Sequence, residues 1–196
     1  NSKNSTGNAA PGVIGDSELR KLKELSKKIA YFTYDVLQVS KVDPSVAPTN
    51  GGTTLTLRGE GFGSRDHDPK ISIAGQDCLL SRWVSDSEMW CVSPPGTGSN
   101  VPVQVMIDGT ITEGPARFSY AIPFVERVVP SSGPSIGGSR ITVTGKNFGP
   151  KDSKSVVTLD NVPCVMSEQV SHEIIVCETT RGLGAQLVVG VTTKGV

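Results

Sequence analysis

Apolar and polar positions alternate in short stretches along most of the chain. "TTLTLR" at 53–58, "KISIAG" from Lys70 and "SEMWCV" at 87–92 each send successive side chains to opposite faces, the period of a half-buried strand. Glycine and proline punctuate these stretches, with 22 Gly and 13 Pro in 196 residues. The pattern predicts an all-β chain of many short strands and turns. One stretch departs from it: "GDSELRKLKELSKK" sets Leu19, Leu22, Leu25 and Ile29 on one helical face, with a start at Asp16 or Ser17 and basic residues toward its end. A short amphipathic helix is predicted over 16–29.

Charge and hydropathy exclude two classes of partner. Basic and acidic side chains balance at 19 each, so the chain carries no electrostatic footprint for nucleic acid. Its longest apolar runs, "IIVC" and "LVVGV", fall far short of the ~20 residues that span a bilayer, and no basic-then-apolar leader precedes them. No membrane insertion is expected of this segment.

The chain repeats itself. "VDPSVAPTNGGTTLTLRGEGFGSRD" from Val42 aligns with "VVPSSGPSIGGSRITVTGKNFGPKD" from Val128, at a constant displacement of 86 residues. Pro44 meets Pro130, the glycine pair 51–52 meets 137–138, Gly59 meets Gly145, and Phe62 with Gly63 meets Phe148 with Gly149. The register continues to Cys78 with Cys164 and Cys91 with Cys177. This decides between two readings of the glycine-rich "GEGFG". A phosphate loop leads into a helix whose amides face the anion, yet the sequence here runs on into another alternating strand. The second copy, "GKNFG", also drops the middle glycine, so a tight turn with one buried aromatic plug is expected.

These motifs, taken in order with the closing "ARFSYA" strand, resemble the IPT/TIG type of immunoglobulin-like domain. The likeness covers residues 30–196 and implies tandem sandwiches of two antiparallel sheets. The family occurs in plexin and scatter-factor receptor ectodomains, in fibrocystin-like surface proteins, in transcription factors and beside starch-acting enzymes. Fold alone therefore selects no function.

The cysteines separate those branches. "CLLSRWVSDSEMWC" and "CVMSEQVSHEIIVC" occupy the same place in each repeat, and this paired repetition argues for Cys78–Cys91 and Cys164–Cys177 disulfides. Each would close a loop worth ~3 kcal/mol in the chain-entropy model and would persist outside the cell. A metal site would call for CxxC spacing and histidine partners, and the two histidines, His67 and His172, stand at unrelated positions. Buried free thiols are the remaining alternative. An extracellular or cell-surface location follows from the disulfide reading, and the DNA-binding branch loses ground.

Other chemical groups do not converge. Asp66, His67 and Asp68 form a tempting cluster, but the second copy retains only Asp152, and a solvated loop is expected. Trp83 is a candidate surface contact for a protein or glycan ligand, while Trp90 is assigned to core or bridge packing. No nucleophile, base and orienting group recur together, so neither catalysis nor a cofactor is expected. Asn4 begins a glycosylation sequon.

The two ends of the sequence complement each other. "IAYFTYDVLQVSKVDPS" from Ile29 matches "PARFSYAIPFVERVVPS" from Pro115 at the same displacement of 86, so residues 30–39 read as the closing strand of a sandwich. The second repeat stops at "VTTKGV" with nothing equivalent to "ARFSYA". The expected organisation is a polar tail over 1–15, a helix over 16–29, a closing strand of a preceding or neighbouring sandwich over 30–39, a complete repeat over 40–125 and a repeat lacking its last strand over 126–196. Two functional expectations follow: a piece of a longer adhesion or receptor ectodomain that binds a partner protein, or a structural subunit that polymerises head to tail, donating Tyr31, Phe32 and Tyr34 to the next copy. A carbohydrate-binding accessory module is a third.

Overall fold

The computed structural model describes residues 15–26, 32–33 and 35–193. The one helix among them, α1, spans Asp16–Ser26. The Gly15 carbonyl accepts from the amides of Glu18 and Leu19 at 2.9 and 3.0 Å, and Asp16 and Glu18 place negative charge in the first turn, where the helix dipole favours it. Leu19 and Leu22 remain 42% and 53% exposed. Residues 27–29, the predicted end of this helix, lie outside the described residues.

The first repeat is a sandwich. Strands β1 (Gln38–Asp43), β2 (Val46–Ala47), β3 (Thr54–Glu60), β4 (Lys70–Ile73), β5 (Gln76–Asp77), β6 (Leu80–Ser85), β7 (Glu88–Val92), β8 (Val101–Ile107) and β9 (Thr110–Tyr120) follow in chain order. They form one sheet of order β1-β3-β7-β6 and a second of order β2-β9-β8-β4-β5. The inward residues of both sheets make a single core, including Val39, Leu55, Leu57, Ile71, Met89, Val103 and Phe118. Each sheet contributes every second side chain, which is why the alternating stretches of the sequence become strands.

The second repeat continues with β10 (Phe124–Val129), β11 (Arg140–Lys146), β12 (Val156–Leu159), β13 (Val162–Pro163), β14 (Met166–Gln169), β15 (Ile174–Glu178) and β16 (Val189–Thr192). Its sheets have the orders β10-β11-β15-β14 and β13-β12-β16. The first of these repeats the β1-β3-β7-β6 arrangement strand for strand, down to a register shift after Val125 that matches the one after Val39.

That shift corrects one expected boundary. Gln38 and Val39 belong to β1, the first strand of the complete repeat, rather than to a closing strand over 30–39. The bulge between Val39 and Lys41 breaks the two-residue period, so "QVSKVD" does not read as a strand in the sequence. Phe124 and Val125 likewise open β10.

The "GxxFG" turns are structural. Phe62 and Phe148 are fully buried, and Gly63 and Gly149 take φ of 92° and 85°, the left-handed region that glycine enters without penalty. The Phe62 amide donates to the Asp86 carbonyl at 3.0 Å and the Gly63 amide to Asp86 Oδ1 at 2.8 Å, so both donors are already spent within the fold. The next described element is β4, and no helix follows the loop.

Candidate functional site: the open edge of the second sandwich

In the first repeat β8 is covered on both edges, pairing with β4 on one side and with β9 on the other, where Val101 faces Phe118. Strand β9 supplies Ala116, Phe118 and Tyr120 to the core. Its end also pairs in parallel with β2, where Val46 faces Ser119. In the second repeat β16 pairs with β12 alone among the described residues. No described residue pairs with its other edge, which leaves a template for an added strand.

Matched positions register the consequence. Val39, Val103 and Val105 are fully buried, and Val42 is 4% exposed. Their counterparts Val125, Val128, Val189 and Val191 are only partly buried and lie around a smaller core of Ile141, Val143, Phe148, Val157, Ile175 and Cys177. The backbone acceptors that hold β9 have counterparts as well. Ser119, Tyr120 and Ala121 donate their amides to the carbonyls of Ser45, Gly98 and Ala47 at 2.9, 2.8 and 2.8 Å. The corresponding carbonyls of Ser131, Gly184 and Gly133 accept no hydrogen bond from the described residues. The groove is thus lined by apolar side chains and rimmed by acceptors, the recognition chemistry of an extended peptide.

The sequence-predicted residues fall in several places. Cys78 is joined to Cys91 and Cys164 to Cys177, with Cα atoms 5.9 Å apart in each pair, and no free cysteine remains. Phe32 is 80% exposed, whereas Phe118 at the same repeat position is buried. Asn4, Tyr31 and Tyr34 lie outside the described residues. Trp83 is half-buried against the first core, and its indole nitrogen is buried without a hydrogen-bond partner. Trp90 corrects an expectation: Met89 and Cys91 take the inward positions of β7, so the two-residue period turns Trp90 to the outer face. There Arg82 lies 5.6 Å from its ring, within cation–π range.

Asp66, His67 and Asp68 form no chemical centre. Asp66 Oδ1 accepts the Asp68 amide at 2.9 Å, and His67 Nδ1 lies 2.8 Å from Asp108 Oδ2. Among the described residues no group of three histidine, cysteine, aspartate or glutamate side chains could hold a metal ion.

Two features escaped the sequence reading. Gln169, 7% exposed, donates to the carbonyls of Phe148 and Gly149 at 2.8 and 2.6 Å and accepts from Ser153 Oγ at 2.9 Å. Its counterpart is Trp83, so the repeat alignment gave no hint of a polar network; a polar residue in an inward register was the available signal. Between the repeats, the Gly149 amide donates to Thr49 Oγ1 at 3.3 Å. Beside this contact opens a cavity of about 300 Å³ lined by Gln76, Tyr120, Asp152 and Lys154 among others.

The architecture is that of tandem immunoglobulin-like β-sandwiches, each stapled by one disulfide. The IPT/TIG domain model matches residues 37–120 and again 123–196, and the chain belongs to that family. Human fibrocystin-L is 32% identical over 129 residues, 64% of this chain, and the match spans 3% of the length of that relative. Among solved structures, a surface glycan-binding protein from Prevotella bryantii shares the fold at 15% identity and a TM-score of 0.51, over 85% of this chain and 38% of that one. The plexin A4 full extracellular region is similar at 23% identity and a TM-score of 0.37, over 79% of this chain and 16% of that one. The chain thus spans only a small part of the length of fibrocystin-L and less than half of each of these solved structures.

Proposed function

We propose that this chain is a non-catalytic structural segment of an extracellular assembly, in which the stretch ahead of β1, residues 30–36, of one copy completes the second sandwich of the next. One comparison carries the reading. Phe118 and Phe32 hold the same repeat position, one fully buried and the other 80% exposed, while no described residue supplies such a side chain to the groove at β16. A strand laid against β16 would gain backbone hydrogen bonds, and burying Phe32 would contribute roughly 1.5–3 kcal/mol. Because donor and acceptor are different surfaces, the contact is heterologous and propagates into a filament unless it closes into a ring. Two disulfides and the likeness to fibrocystin-L support placement at or outside the cell surface.

A second reading draws on the small share of fibrocystin-L that the match spans. There the groove is filled by a following segment of a longer adhesion or receptor ectodomain, and the sandwich loops or Trp83 meet a protein or glycan ligand. One experiment separates the two. The 196-residue chain and a variant lacking residues 1–36 are secreted from an oxidising host and compared by gel filtration and negative-stain microscopy. Fibres from the full chain and monomers from the shortened one support strand exchange. Monomers from both, or identical assemblies from both, overturn it in favour of the longer ectodomain.

A further inference from the structure

The second repeat keeps a seat for one particular side chain. In the first repeat the Tyr120 ring lies so close to Gly96 that a Cβ at that glycine would stand 2.6 Å from Tyr120 Cζ. The Tyr120 hydroxyl donates to the Pro94 carbonyl at 3.0 Å. Gly96 is held there by its amide, which donates to the Thr49 carbonyl at 2.9 Å. The same construction recurs one repeat later, where the Gly182 amide donates to the Ser135 carbonyl at 3.0 Å and Thr180 stands in the place of Pro94. Over Gly182, however, no described atom comes within 4 Å of where a Cβ would be, and its φ lies outside the left-handed region. Neither backbone conformation nor any described neighbour demands a glycine there. An arriving ring would.

We propose that Gly182 and the Thr180 carbonyl receive the ring and hydroxyl of Tyr34 from a second copy of the chain. This rests on the strand-exchange reading above and specifies its register. Tyr120 is committed to its own core, and Tyr31 matches the outward Arg117, which leaves Tyr34 of the three tyrosines. Its neighbours fit the same frame: Ala30 and Phe32 match Ala116 and Phe118, and Thr33 matches Ser119. The Ser119 hydroxyl accepts the Asn100 amide at 2.9 Å, and the counterpart Gln186 has φ of 57° against 55° for Asn100, so its amide is set to meet the Thr33 hydroxyl.

The frame also has an end. Gly114 passes β1 so closely that a Cβ would stand 2.8 Å from the Val39 nitrogen. Its counterpart in the donor is Lys28, whose Cβ would collide with the backbone at Val125. In this register the exchanged strand begins after Lys28.

The test uses full-length chains with one end disabled. Gly182→Leu fills the seat on the acceptor, in open space where the isolated fold is undisturbed; Tyr34→Ala removes the plug from the donor. Each variant alone should sediment as a monomer at concentrations at least roughly a hundredfold above those at which the wild-type chain assembles. Mixed in equal amounts they should form dimers that grow no further, because one working donor and one working acceptor remain. Tyr34→Phe, which loses only the hydroxyl, should raise the assembly concentration about fivefold. If the wild-type chain assembles and both variants assemble like it, or if the mixture does not dimerise, the seat is wrong while strand exchange survives. If the wild-type chain does not assemble and removing residues 1–36 changes nothing, strand exchange fails and the seat with it. Should Gly182→Leu not secrete, the Tyr34 variants alone decide, since an unchanged assembly concentration in both overturns the proposal.

Discussion

The Tyr120 hydroxyl donates to the Pro94 carbonyl at 3.0 Å while its ring meets Phe118 edge-on, 5.0 Å between centroids. The pair locks the end of β9 onto the loop after β7 and seals the first core. Tyr120→Phe keeps the ring and removes the bond, so it should lower the stability of the first repeat by about 1 kcal/mol. Urea unfolding followed by tryptophan fluorescence reads this directly, because both tryptophans, Trp83 and Trp90, lie in that repeat.

Burial raises the Tyr120 phenol from 10.0 to about 12. The unfolded chain therefore releases this proton first as pH rises. Its contribution to stability is intact below about pH 10 and falls by about 1.4 kcal/mol per pH unit until the folded-state value near 12 is reached. Unfolding measured from pH 9 upward should show this slope in the wild-type chain and lack it in Tyr120→Phe, which controls for every other group that titrates there.

Gly59 and Gly145 let β3 and β11 pass their neighbouring strands at a distance that no side chain allows. A Cβ at either position would stand 2.6 Å from the Cζ of the buried phenylalanine three residues on, and close to a strand carbonyl besides. Gly59→Ala should destabilise the first repeat by roughly 2–4 kcal/mol, and Gly145→Ala the second by a similar amount. Calorimetry that resolves two transitions would move one at a time. Equal stability of variant and wild type would mean the turns relax more readily than their packing implies.

Gln169 holds together the loop that follows β11. Gln169→Leu would remove the side-chain donor to the Gly149 carbonyl, while the Phe148 carbonyl keeps Ser155 Oγ at 2.6 Å, at a cost of about 1–3 kcal/mol to the second repeat. The first repeat places Trp83 at the same position, so the reciprocal Trp83→Gln tests whether the two solutions are interchangeable. Expected is a loss there too, because no partner for the new amide was selected, and thermal unfolding checks both.

The sequence by itself determined the class of fold and the repeat, because strands, turns and plugs are local: a two-residue period, a glycine pair and a phenylalanine between glycines recur at one displacement in both copies. The cysteine pairing was legible for the same reason. Burial was not, since it depends on what a distant segment brings. Phe32 and Phe118 are the same residue in the same repeat position, and Gly96 and Gly182 are the same glycine, yet only the tertiary structure tells that one phenylalanine is buried and the other exposed, and that a ring lies over Gly96 and no described atom over Gly182. Trp90 needed the register of β7 to settle its face, and the β1 bulge hid a strand whose period it interrupts. The site followed this division: its residues were present in the sequence, but the groove exists only where two sheets are packed and the strand that closes the first sandwich has no counterpart among the described residues of the second.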